Sequence, residues 1–356
     1  MIETYYEHKT MVQVFNASVK KFAHLPLFGT RELLAEEDEI QPNGKVFKKG
    51  IYGKYKWETY GEVGQRVMDF AAGLTEIGIN SRVAVYMETR ADFQIAVQAA
   101  WQHNIQVVTV YATLGEKAVA DALIEAEVEH VITSASLLET RLAPILKSSK
   151  SIKTVIAAPH ENRAQQIRHK IPDESDYSVF TYEQIIAKGK SSKLARPAPP
   201  GPETISVIMY TSGTSGKAKG VIISQANMIA ACSGIGEKLQ VHTRFTPDDI
   251  FIGYLPLAHI LELMAENCMI FNGSKIGYSS PLTLSDRSTR IKKGTKGDAT
   301  ELKPTLMASV PEILERVRKG KKHSCAKELN LFYRCDGKCR GDGPITKAPI
   351  QICLCI

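Results

Sequence analysis

The chain has 356 residues, a net charge of +7, 44% hydrophobic and 23% charged residues. That length suits two or three packed units, and the balance excludes a collagen-like, wholly disordered or disulfide-dense secreted chain. No apolar run approaches the ~18 residues that span a bilayer, and the start Met1-Ile2-Glu3-Thr4-Tyr5-Tyr6-Glu7 lacks the basic and apolar regions of a secretory signal.

Residues 11–22 predict an amphipathic helix, and the charged run 31–41 follows. Residues 51–60 alternate with aromatics, as in a short hairpin. Val63, Val67, Phe70, Ala71 and Leu74 recur at helical intervals and predict a helix over 61–78. From residue 82 the pattern is regular. Strands are expected at 83–87, 107–111, 130–133 and 153–157, with helices at 92–102, 116–126 and 135–146, the last interrupted near Pro144. Strands alternating with helices predict an α/β fold with doubly wound, mostly parallel sheets. The stretch 188–203, with Pro197, Pro199, Pro200 and Pro202, is the clearest linker. It divides the expected units at 1–200 and 201–322, with a Cys-rich tail at 323–356.

Charge and cysteine are uneven. Residues 287–340 hold 15 Lys/Arg against 6 Asp/Glu, while everything before them sums to −2. Such a segment attracts phosphates, nucleic acid or anionic lipid, but the first reading is a solvated, lysine-rich face, with no nucleic-acid partner expected. Cys232 and Cys268 sit in apolar sequence and read as small buried hydrophobes. The other five cysteines fall after residue 324. Of these only Cys335 and Cys339 have zinc-like spacing. The ending Cys353-Leu354-Cys355-Ile356 matches a prenylation box only loosely.

The chemistry-bearing motif follows the linker. A strand at 204–210 enters Thr211-Ser212-Gly213-Thr214-Ser215-Gly216-Lys217-Ala218-Lys219-Gly220, and a strand resumes at 221–223 before a helix over 225–239. The glycines let the backbone curl and expose its N–H groups. Four hydroxyls and two lysines add donors and positive charge, which together make a polyphosphate cradle. The spacing from Gly213 to Gly216 is too short for a Walker A loop. A plain Gly/Ser turn is the alternative for such a loop, and the order hydroxyl–glycine–lysine between two apolar strands speaks against it.

Tyr210 to Gly220 resembles the phosphate signature of AMP-forming acyl-CoA synthetases, Tyr-Thr-Ser-Gly-[Ser/Thr]-[Ser/Thr]-Gly-x-Pro-Lys-Gly, with Ala218 in place of the proline. Gly253-Tyr254-Leu255-Pro256-Leu257-Ala258-His259-Ile260-Leu261-Glu262 and the block 302–313 are similar to the long-chain fatty acid–CoA ligase branch, as are 55–60 and 108–116. The likeness spans roughly residues 5–322.

The resemblance implies a two-step activation of a long-chain fatty acid. The acid and ATP give an acyl-adenylate and pyrophosphate, and coenzyme A then takes the acyl group. It also implies that Thr211, Ser212, Gly213, Thr214, Ser215, Gly216 and Lys219 hold the β- and γ-phosphates, with Mg²⁺ bridging them. His259 would stand near the carboxylate end of the acyl tunnel. Read alone, a His after Leu-Pro-Leu-Ala is a packed, hydrogen-bonded residue. The family's later adenine, ribose and hinge blocks and its catalytic lysine have no counterpart after Val310. The N-terminal domain is therefore expected to be incomplete, with the polypeptide truncated at its C-terminal end and inactive or nearly so. The alternative is a non-catalytic fragment that binds acyl chains, or that pairs with a full-length ligase and regulates it. By the same resemblance the protein belongs on the cytoplasmic face of an intracellular membrane such as the endoplasmic reticulum, in peripheral contact.

Overall fold

The structure is a computed structural model that describes residues 7–40, 44–148, 151–161, 177–211, 219–240, 245–310 and 351–352. The Cys-rich tail, its zinc and prenylation readings and most of the phosphate loop lie outside these residues.

Helix α1 (Met11–Phe22) starts where Thr10 accepts a hydrogen bond from the Gln13 N–H, and ends on Lys20 and Lys21, as the helix dipole favours. Strands β1 (Pro26–Ile40) and β2 (Val46–Thr59) then form one long antiparallel hairpin. The charged run at 31–41 is thus a strand, and the short hairpin expected inside 51–60 is one arm of a longer one. Opposite charges explain the pairing: Glu37 faces Lys49 and Asp38 faces Lys48 across the strands. The same acidic run neutralises part of the basic segment. Lys292 pairs with Glu37 at 2.7 Å, and Arg290 reaches Glu36 at 3.5 Å and Glu161 at 3.1 Å. Those cations are ion-paired, not a merely solvated face.

Helix α2 (Tyr60–Glu76) opens with a reciprocal capping box between Thr59 and Glu62. The regular region follows as β3 (Arg82–Tyr86), α3 (Ala91–Gln102), β4 (Gln106–Val110), α4 (Glu116–Glu125) and β5 (His130–Ser134). Next come α5 (Ala135–Leu137), a π-helical turn at Leu138–Leu142 and α6 (Ala143–Ser148). A proline cannot donate to the turn before it and its ring crowds that turn, and the wide turn ahead of Pro144 accommodates this. The remaining elements are β6 (Thr154–Ala158), β7 (Ser178–Thr181), α7 (Tyr182–Ser191), β8 (Ile205–Thr211), β9 (Lys219–Ser224), α8 (Gln225–Gln240), β10 (Ile250–Gly253), α9 (Ile260–Phe271), β11 (Lys275–Tyr278), α10 (Asp298–Leu302) and β12 (Leu306–Met307).

A seven-stranded sheet runs β7-β6-β5-β3-β4-β8-β9, parallel except for β9. A second sheet runs β12-β10-β11-β1-β2, with Gln351–Ile352 pairing beyond β12. Both sheets take strands from either side of residue 200, so the proline-rich stretch connects elements of one sheet. In β3, Val83 and Val85 join one apolar core while Ala84 and Tyr86 join another. Alternate residues face opposite sides, so the sheet is covered on both faces, as crossover helices require. Every residue of α3 is buried, as is every residue from Leu261 to Ile270 of α9. These two helices form the layer between the sheets, α3 packing on β3 and β4, and α9 on β10 and β11.

Candidate active site

In parallel α/β sheets, ligands bind outside the carboxyl ends of the strands, where neighbouring connections leave to opposite sides. In this protein β3 has β4 on one flank and β5 on the other. A cavity of about 850 Å³ opens there, walled by residues that follow β3, β4, β5, β6, β10 and β11. Thr89, Tyr111, Ser136, His160, Pro256 and Ser279 each come from a different strand end.

The strap between β10 and α9 forms one wall, through Tyr254, Pro256 and Ala258. Hydrogen bonds fix it from outside. The Thr89 hydroxyl donates to the Leu255 carbonyl at 2.6 Å and accepts from the Leu257 N–H at 3.1 Å. The Thr109 hydroxyl donates to the Ala258 carbonyl at 3.2 Å. His259 ends the strap as the N-cap of α9, with Nδ1 accepting the Leu261 N–H at 3.1 Å. Its ring meets Tyr111 edge-on at 6.3 Å. The packed residue expected from the strap sequence is in fact exposed, and its hydrogen bond is a cap. Because Nδ1 accepts, a neutral ring carries its proton on Nε2, which can donate to a carboxylate. His259 itself does not line the cavity, whereas Ala258 before it and Tyr111 against it do.

Thr211 and Lys219 sit opposite each other where β8 and β9 meet, so they hold the two ends of the phosphate loop together. Thr109 pairs with Met209 in the parallel register of β4 and β8. Thr211 therefore ends level with Tyr111, which lines the cavity, whereas no described residue of β8 or β9 does. Lys219 is exposed at the start of β9. Ser212, Gly213, Thr214, Ser215 and Gly216 lie outside the described residues. Among the described residues no cluster of three or more His, Cys, Asp or Glu side chains could seat a metal ion. No helix among them is long and apolar enough to cross a membrane.

The cavity walls also carry charge that the sequence did not mark as part of a site. Buried Asp92 meets Arg66 at 3.1 Å and Arg90 at 2.6 Å. Asp298 meets Arg31 at 2.9 Å and accepts from the Ser279 hydroxyl at 2.7 Å and from Thr283. Burial pushes the Asp298 carboxyl up, against the lowering effect of Thr283, Ser279 and Arg31. Cys232 and Cys268 are free, buried thiols, as their apolar setting implied.

The AMP-binding enzyme family model matches residues 36–342. Long chain acyl-CoA synthetase 8 of Arabidopsis thaliana is 39% identical over 313 residues, covering 87% of this chain and 43% of that protein. Long-chain-fatty-acid–CoA ligase 1 of Schizosaccharomyces pombe is 32% identical over 343 residues, covering 90% and 48%. The chain thus spans about half the length of these relatives. Among solved structures, the A domain of carboxylic acid reductase from Segniliparus rugosus, in complex with AMP and a co-purified carboxylic acid, superposes with a TM-score of 0.69 at 18% identity, covering 90% of this chain and 52% of that one. A long-chain-fatty-acid-CoA ligase from Archaeoglobus fulgidus does so with a TM-score of 0.63 at 17% identity, covering 88% and 54%. With its strand–loop–strand at 205–224, its paired sheets and a family match over most of its length, the chain belongs to the AMP-binding enzyme family.

Proposed function

We propose that the chain serves the activation of a long-chain fatty acid to its coenzyme A thioester. The acid's carboxylate attacks the α-phosphate of ATP and pyrophosphate leaves; the thiolate of coenzyme A then attacks the acyl carbonyl and AMP leaves. The observation that carries this reading is the cavity at the strand ends, one wall of which is the strap that ends on His259. The kinship to named acyl-CoA ligases supplies the substrate class.

In this reading Thr211, Ser212, Gly213, Thr214, Ser215, Gly216 and Lys219 surround the β- and γ-phosphates, and His259 Nε2–H donates toward the fatty carboxylate. Holding the carboxylate and the α-phosphate in line supplies most of the rate in such transfers. Mg²⁺ would neutralise phosphate charge when bound, held through the phosphates and the loop hydroxyls. Coenzyme A, peripheral membrane contact and the cytoplasmic face of an intracellular membrane belong to the same proposal. So does the division of labour between 1–200, 201–322 and 323–356.

Purified protein supplied with oleate, ATP, Mg²⁺ and coenzyme A should bind oleate and ATP by calorimetry, and Lys219→Ala should weaken ATP about tenfold or more, as a lost charge-assisted contact does. Oleoyl-CoA formation would establish the ligase reading. Binding without turnover would assign the protein to the second reading, an acyl-binding partner of a full-length ligase. Absence of both bindings would sink the proposal.

A further inference from the structure

Helix α9 is apolar along most of its length, yet it carries Glu262 and Glu266 one turn apart, and both are 0% exposed. Among the described residues no cation meets them. Glu262 accepts the Tyr254 N–H at 3.1 Å, and the Leu255 N–H donates to the same carboxyl. Glu266 accepts from the Tyr278 hydroxyl at 2.9 Å and from the Gln94 amide at 3.2 Å. One oxygen of each carboxyl, Glu262 Oε2 and Glu266 Oε1, has no partner. The buried carbonyl oxygens of Gln94 and Gln98, on the facing helix α3, have none either. These four buried acceptors have no donor among the described residues. Unpaired buried polar atoms are destabilising. A proton on each carboxyl removes its buried charge and turns one of its oxygens into a donor. Gly253 keeps the layer tight, since a Cβ there would lie 2.9 Å from Glu266 Oε1 and 3.5 Å from Glu262 Oε1.

We propose that Glu262 and Glu266 are a proton-holding pair that positions the strap Tyr254–His259, so that the set of the cavity wall is linked to protonation inside the central helix layer. Glu262 is the positioning residue, since it holds the two N–H groups at the root of the strap, and Glu266 lies beside it as the second proton site. Burial raises both carboxyls, with Glu266 adding to the rise at Glu262, while hydrogen bonds from Tyr254 and Leu255 oppose it at Glu262 and those from Tyr278 and Gln94 at Glu266. The described surroundings offer no unopposed charge. β10 and its strap give Tyr254, and β11 gives Tyr278. The start of α3 gives Asp92, already opposed by Arg66 and Arg90. Helix α8 gives the Cys232 thiol, raised by burial. Helix α1 buries only Met11, Val12, Val14, Phe15 and Ser18. The inference does not depend on what occupies the cavity.

Infrared spectroscopy of the purified protein tests the protons, and hydrogen exchange tests the strap. At neutral pH the wild type should show the carbonyl stretch of protonated, buried carboxyls. The band should fade as pH is raised, shrink in Glu262→Gln and in Glu266→Gln, and vanish in the double variant. The Tyr254 and Leu255 amides should exchange about tenfold faster in Glu262→Ala and stay protected in Glu262→Gln, whose amide oxygen still accepts. In wild type their protection, corrected for intrinsic exchange, should change over the pH range in which the band fades. A spectrum with no such band at neutral pH, or one that the Gln variants leave unchanged, overturns the proton sites. Equal exchange in Glu262→Gln and Glu262→Ala, or protection unaffected as the band fades, overturns the positioning role.

Discussion

Two groups of buried acids lie on the facing helices of the central layer and are handled in opposite ways. Asp92, in the first turn of α3, is met by Arg66 and by Arg90. Among the described residues, Glu262 and Glu266, on α9, are met by neutral donors and by no cation. A buried carboxyl is tolerated in either of two ways: kept charged opposite a cation, or kept neutral by a proton. One layer of this molecule uses both. The Asp92 group ties α2 to the start of α3 beside the cavity, whereas the glutamate pair ties α3 to the strap.

The largest effect should come from breaking the charged group. Asp92→Ala leaves Arg66 and Arg90 facing a space they were paired across. Removing one partner of a buried ion pair costs about 3–5 kcal/mol, so the denaturant midpoint should fall sharply. A loss below about 1 kcal/mol would mean that Glu58, already bonded to Arg66, takes over the charge and that the two groups are less different than they look.

The second effect concerns the neutral group. Glu266 is pushed up to about 8, chiefly by burial, from an ordinary value of 4.5. Between those values the folded state holds a proton that the unfolded state has released. Stability therefore falls as pH rises across that window, by up to about 1.4 kcal/mol per pH unit for one proton, and the loss is complete above the folded value. Thermal unfolding from pH 5 to 8 should show this slope in wild type, reduced in Glu266→Gln and flattest in the double Gln variant. A wild-type slope equal to that of the double variant would erase the contrast with Asp92.

These groups also mark the limit of what the order of residues discloses. The alternation over 82–158 was legible because each strand and helix is set by its own residues; the strand expected at 130–133 is found at His130–Ser134. The strand Pro26–Ile40 was not legible, because its far half is acidic where a strand signal is apolar, and its stability comes from lysines of the partner arm. The loop at 211–220 and the strap at 253–262 are short contiguous motifs, so the proposal for them rests on residue order alone. The cavity could not be read that way, since its walls come from six strand ends brought together by the sheet order. Glu262 and Glu266 look like the solvent face of a helix until α3 and the second sheet are packed around them. The available signal was two acids and an asparagine in an otherwise apolar α9.

A third test separates the strap's two supports. Thr89 both donates to Leu255 and accepts from Leu257, so Thr89→Val breaks two bonds and leaves their backbone partners unpaired. The expected loss is about 1–3 kcal/mol. If Glu262 and Thr89 hold the same strap, combining Thr89→Val with Glu262→Ala should cost less than the sum of the two, because groups in one network couple. Additive losses would mean that the strap is held in two independent pieces.

The smallest effect belongs to Thr109, whose fully buried hydroxyl makes one bond, to the Ala258 carbonyl. Thr109→Val keeps the shape and removes that bond, for an expected loss of about 1 kcal/mol. Its value lies in where it acts. Ala258 precedes the cap that His259 forms, and β4, which carries Thr109, belongs to the other sheet. If this bond aligns the His259 end of the strap with the seven-stranded sheet, the variant should shift the His259 and Tyr111 ring resonances in NMR while leaving the Tyr254 and Leu255 amides protected. Loss of protection at those two amides would show that the strap moves as one body. The glutamate pair and the sheet would then be two anchors of a single lever, and the difference between the charged and the neutral group would reach the cavity through the same residues.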